Sequence, residues 1–231
     1  MDAYFSYYLT GIIMIPVFIF ALICQARVKS AYRKYSRINN SRGLTGAETA
    51  YELLRLNGIN DVTIQRTSGN LTDNYNPSTK IISLSEGVYS STSVAAVGIA
   101  CHEAGHACQH AQEYAPLKFR NFIIPATRLG SYLGIPLALV GMFLNTDLLI
   151  YIGIILYGIV AFFQFITLPV EFDASRRALS TIEDNGFLVG EEYKGAKSVL
   201  TAAALTYVAA LVSALATLLR LYLIMNRGRR R

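Results

Sequence analysis

"FIIPATRLGSYLGIPLALVGMFLNTDLLIYIGIILYGIVAFFQFITLPVEFDASRRAL", residues 122–179, decides the fold. It holds two apolar runs, Phe122–Leu144 and Leu148–Pro169, parted only by "NTD". Each has the roughly 20 residues that a helix needs to cross a bilayer. Arg128 is the one charge in the pair, close enough to an end for its long side chain to reach polar surroundings. A three-residue connection makes the runs antiparallel neighbours, so they predict a transmembrane hairpin. A hairpin returns the chain to the membrane face it left. The polar segment that begins "VEFDASRRAL" is therefore delivered to the same face as whatever precedes Phe122.

Outward from the hairpin, two more apolar runs appear. Tyr4–Cys24 carries no charge and reads as a retained anchor: its apolar core is too long for a signal peptide, and its positive charges follow rather than precede it. Val199–Met225 carries only Arg220. The whole chain of 231 residues is 53% hydrophobic and 16% charged, against about 25% charged in an ordinary soluble domain. The class implied is a mainly α-helical integral membrane protein. The net charge of +6 is concentrated behind the first run, at Arg27, Lys29, Arg33, Lys34, Arg37 and Arg42. That is a positive-inside flank, not a nucleic-acid surface, and it puts the next segment in the cytoplasm. Three cysteines, Cys24, Cys101 and Cys108, form no disulfide framework and suit a reducing compartment. Both Cys101 and Cys108 are expected in the core.

The division expected is an anchor over 1–25, a catalytic segment over 26–118, the hairpin over 119–170 and a cytoplasmic segment over 171–197. A fourth apolar helix over 198–226 either spans or packs inside the catalytic part, and a basic tail follows at 227–231. If it spans, "RGRRR" lies outside, against the positive-inside rule. The soluble part reads as a small α+β domain. In "LTGAETAYELLRLNGI", Thr45 and Glu48 have capping-box spacing and Asn57-Gly58 is a stop. Ala47, Ala50, Leu53, Leu54 and Leu56 supply the apolar face. "VTIQR" and "KIISLS" read as strands separated by turn-rich sequence, and residues 92–114 as one helix.

That last helix contains "ACHEAGHACQH" and all three histidines of the chain, His102, His106 and His110. His102 and His106 stack one turn apart on one face, where two imidazoles can meet one zinc ion. Glu103 takes the general-base position of the H-E-x-x-H pattern. Small Ala104 and Gly105 allow a neighbouring strand close approach. A catalytic zinc site needs three protein ligands. His110 stands about 12 Å along the helix from His102, too far for one ion, and reads as a supporting residue. Gln109 and Gln112 occupy the positions where a metzincin carries Gly and His. The hairpin picks Glu171 from the downstream carboxylates, with Asp173 next; Asp147 falls on the other face and Glu113 is too near on the same helix. Arg176 and Arg177 are flank charges or carboxylate-orienting groups.

"NPSTKIISLSEGVYSSTSVAAVGIACHEAGHACQH", a hairpin, "LPVEFDASRRAL" and "AAALTYVAAL", in that order, resemble the bacterial neutral zinc metallopeptidases of the YugP-like membrane family. More distantly the chain is similar to HtpX and the CAAX prenyl proteases. The resemblance implies a zincin-like, gluzincin-type metalloendopeptidase with Zn2+ on His102, His106 and a carboxylate, Glu103 as base, and a protein or peptide substrate near the lipid bilayer. Those relatives carry E-x-x-x-D; here Ser175 stands at the second position and the acid is at Asp173. The resemblance also implies that "KIISLS" is an edge strand on which an extended substrate adds by β-pairing. Tyr75 and Tyr207 are candidates for stabilising the oxyanion. A non-catalytic zinc-binding membrane scaffold is the alternative; a haem protein fits poorly, because axial ligands approach opposite faces.

Overall fold

The apolar runs fold as long helices. In the computed structural model, residues 11–228 are described; the expected anchor's first residues and the end of the basic tail lie outside them. The order is α1 (Met14–Tyr35), α2 (Gly46–Leu56), β1 (Thr63–Thr67), β2 (Asn74–Asn76), β3 (Ile81–Ser85), α3 (Glu86–Tyr89), α4 (Val94–Ala111), α5 (Ala115–Phe143), α6 (Asp147–Asp184) and α7 (Glu191–Gly228). Among the described residues, α1, α5, α6 and α7 have the length and apolarity to cross a membrane. The described residues divide into two units: those up to 24, 119–168 and those from 206 in one, and residues 25–118 and 169–205 in the other.

In the first unit, α5 and the apolar part of α6 pack through glycine. A Cβ added at Gly134 stands 2.9 Å from the backbone nitrogen of Tyr157, and one at Gly153 stands 2.6 Å from the carbonyl oxygen of Gly134. Gly141 meets the backbone of Ile150 at 2.7 Å in the same way. Small residues are what let two membrane helices touch backbone to backbone. Large apolar side chains such as Phe122, Tyr132, Phe143, Leu148 and Ile155 point outward and exposed.

In the second unit, helix α4 is the core. Fourteen of its eighteen residues are buried, the signature of a helix enclosed on every side. Leu53, Leu54, Ile82, Leu84, Val88, Ala178, Ile182, Leu188 and Leu200 form the hydrophobic cluster around it, with Cys101 and Cys108 inside. Helix α2 starts at the expected capping box: Glu48 N–H donates to Thr45 Oγ1 at 3.2 Å, and Thr45 N–H to Glu48 Oε2 at 2.8 Å. Its buried face is Gly46, Thr49, Ala50, Leu53 and Leu54. Leu56 departs from expectation, being exposed: it lies about a quarter-turn from the centre of that stripe, at the last residue of the helix. Thr49 is buried instead, its hydroxyl donating back to the Gly46 carbonyl at 2.9 Å.

The sheet corrects a second expectation. Its order is β1-β3-β2, with β1 parallel and β2 antiparallel to β3. "KIISLS" is thus the central strand, paired with β1 over Ile81–Ser85 and with β2 over Ile81–Ser83, and not the edge strand expected. The short β2, inside the stretch expected to be turn only, is the edge that packs beside α4. Helix α7 is continuous across the unit boundary at Leu205, so the alanine-rich run is split between the two units.

Candidate metal centre

Helix α4 starts at Ser93, whose side chain accepts from Ala96 N–H, and runs without a break through the histidines. Two glycines set how closely it is approached. A Cβ at Gly105 would lie 2.7 Å from the carbonyl oxygen of Ala174 on α6, and one at Gly98 would lie 3.3 Å from the Ala196 Cβ on α7. Gly105 therefore seats a helix, not the strand expected. On α6 the fully buried stripe Val170, Ala174, Ala178 and Ile182 repeats every four residues and faces this core. Glu171, one position along, is carried to the imidazoles.

The outcome is a cluster of three. His102, His106 and Glu171 each offer one atom, all within 4.8 Å of one another. His102 Nε2 stands 3.3 Å from Glu171 Oε2, and His106 Nε2 stands 3.6 Å from it. Two atoms bound to one tetrahedral zinc at about 2.0–2.1 Å are about 3.3 Å apart, so the two separations from Glu171 are close to what that ion needs. The donor set fits too: two imidazole nitrogens and a carboxylate are a zinc set. Glu103 is buried beside the cluster and feels both imidazoles and Glu171; burial pushes its carboxyl above the ordinary range. For His106, burial works against the charged form, but Glu171 and Glu103 outweigh it and the net shift is upward.

These features agree with a match of residues 10–226 to the family described as "Putative neutral zinc metallopeptidase". The chain belongs to this family. It is also 46% identical, over 205 residues, to the Bacillus subtilis (strain 168) protein named "Putative membrane protease YugP", covering 89% of this chain and 91% of that one. No solved structure matches. Within the family frame, the three residues just described are a group that could hold the metal ion.

The remaining residues weighed from the sequence take other places. Asp173, second choice as a ligand, turns away: it pairs with Arg176 and Arg177 and accepts from Gln109 Nε2 at 3.0 Å. Both arginines are thus carboxylate partners. Glu113 lies past the helix end and pairs with Lys118 at 3.1 Å. His110 Nδ1 meets Tyr75 Oη at 2.8 Å, one turn beyond His106, and Tyr207 belongs to the other unit. Two residues that sequence reasoning passed over touch the imidazoles. Ser175 Oγ is 3.1 Å from His102 Nδ1, and Gln109 Oε1 is 3.0 Å from His106 Nδ1. The i, i+3 spacing from His106 to a polar residue on an otherwise apolar helix was the available signal for Gln109.

Proposed function

We propose that the chain is a multi-pass membrane zinc endopeptidase that hydrolyses peptide bonds of membrane-associated proteins at the cytoplasmic face. The observation that carries this is the meeting of Glu171 with His102 and His106 at 3.3 and 3.6 Å, across more than sixty residues of chain, beside a buried glutamate. Zinc held there supplies a Lewis acid that polarises a carbonyl and makes water acidic enough to attack at neutral pH. His102, His106 and Glu171 hold it. Glu103 takes the proton of the attacking water and passes it to the leaving amine. Burial raises the Glu103 carboxyl, the direction that favours proton exchange at neutral pH. An extended substrate has one edge to pair with beside α4, that of β2, and Tyr75 and His110 stand at that edge. The basic flank from Arg27 to Arg42 supports a cytoplasmic site.

The decisive test is the Glu103→Gln variant of the full chain, purified in detergent, with zinc content and casein hydrolysis measured together. Zinc should remain while hydrolysis falls about 10²–10⁴-fold, the usual worth of a general base. His106→Ala should lose both. Undiminished hydrolysis by Glu103→Gln would refute the base assignment. Tight zinc with no chelator-sensitive hydrolysis in the wild type would make the chain a scaffold.

A further inference from the structure

Gln109 has no exposed surface, sits on the same helix as the metal-binding histidines, and makes three hydrogen bonds whose directions are forced. Its Nε2 is 2.7 Å from the Val170 carbonyl oxygen and 3.0 Å from Asp173 Oδ2. A carbonyl oxygen only accepts. Asp173, held by Arg176 and Arg177, is an ionised carboxylate and also only accepts. The amide NH2 must therefore face α6, where both its hydrogens are used. The amide oxygen must then face His106 Nδ1, 3.0 Å away, and an oxygen facing a ring nitrogen accepts. The proton of neutral His106 is thereby placed on Nδ1, 3.0 Å from its acceptor, and the lone pair on Nε2, whose 3.6 Å separation from Glu171 Oε2 is too long for a competing hydrogen bond.

His102 is supported differently. Its Nδ1 faces the Ser175 hydroxyl at 3.1 Å, a group that donates or accepts equally well. Ser175 does not select a tautomer. One imidazole is set in advance and the other adapts.

We infer that Asp173 and Gln109 are positioning residues that act in series, fixing His106 as the Nδ1–H tautomer so that its Nε2 is ready for a metal ion before the ion arrives. Asp173 acts here through an amide rather than as a ligand. Outer partners of a ligand histidine fix its ring and tautomer, and removing one costs about 10–100-fold in metal affinity. The consequence for zinc rests on the function proposed above; the tautomer does not, because it is read on metal-free protein.

The experiment uses the full chain in detergent, metal-free, labelled with 15N-histidine. Three histidines give three imidazole patterns, assigned by His102→Gln and His110→Gln. At a pH where the rings are neutral, His106 should show a protonated Nδ1 and a bare Nε2. Zinc affinity by chelator competition is then compared in Gln109→Met and Gln109→Glu. The methionine variant keeps volume and apolar packing but removes the acceptor, so it should lose the tautomer bias and bind zinc about 10–100-fold more weakly. The glutamate variant still accepts from Nδ1–H through one oxygen, while its other oxygen, facing the Val170 carbonyl and Asp173, carries a proton to them, and it should bind zinc more tightly than the methionine variant. A packing role alone gives the reverse order. His106 found as the Nε2–H tautomer, or Gln109→Met binding zinc as the wild type does, overturns the inference. If Gln109→Met does not fold, the wild-type spectrum decides alone. A wild type with the stated tautomer but no zinc affinity would sink the proposed function and leave this arrangement standing.

Discussion

Replacing Gly105 by alanine tests the central contact, because the sign of the effect is informative. A methyl group in open helix would stabilise, since alanine exceeds glycine by up to about 1 kcal/mol in helix propensity. At Gly105 the added Cβ meets the Ala174 carbonyl oxygen at 2.7 Å, where ordinary contact begins near 3.4 Å, so α4 and α6 must part by roughly 0.7 Å. Overpacking of that kind costs about 1–3 kcal/mol, more than the propensity gain. The same separation opens the spacing between Glu171 on α6 and the two imidazoles on α4, now 3.3 and 3.6 Å. A misplacement approaching 1 Å near a reaction centre costs up to about 10²-fold. Gly105→Ala should therefore lower the melting temperature in detergent and weaken zinc binding together, with hydrolysis falling at least as far as zinc affinity. The two signals are read by thermal unfolding and by chelator competition on one preparation. A variant more stable than the wild type, with unchanged zinc affinity, would mean that α4 and α6 are not in the contact described.

Thr45→Ala removes the side-chain arm of the capping box at α2, leaving only the backbone arm to Glu48, and should cost about 1 kcal/mol of stability of the unit that contains it, seen as a lower denaturant midpoint with zinc affinity unchanged. Cys101 and Cys108 are buried, and burial raises their thiols to about 12 and about 11. A thiol so raised stays protonated, and unreactive, until the pH approaches those values. At pH 8 a thiol-specific reagent should therefore leave both unmodified in the folded chain and label both after denaturation; rapid labelling of either in the native protein would contradict the core described.

What the sequence made legible was local or forced by chain length. The hairpin is readable because three residues between two long apolar runs leave one topology, and the same constraint brings Glu171 to the imidazoles. The cap at Thr45 is readable because two side chains three residues apart make it. The position of β3 is not, since pairing order depends on contacts between distant segments, and β2 has three residues in a stretch whose composition signals turns. Gln109 was visible only as a departure from another enzyme class. Its role depends on Asp173 and Val170, which lie 64 and 61 residues away on another helix. Ser175 likewise reads as a missing acid until its hydroxyl is seen against His102, while the acid two residues earlier serves the other ring.

The glycine seam between α5 and α6 has a mechanical meaning. Lipid offers no hydrophobic push to hold two helices together, so cohesion there must come from close fit and dispersion. A fit made by backbone against backbone tolerates little sliding: a shift of one helical turn, about 5.4 Å, would bring branched and aromatic side chains into the hollows that Gly134, Gly141 and Gly153 now leave. The pair is thus keyed like a ratchet with a single tooth engaged, and it resists change of register even in a solvent that gives it no reason to associate.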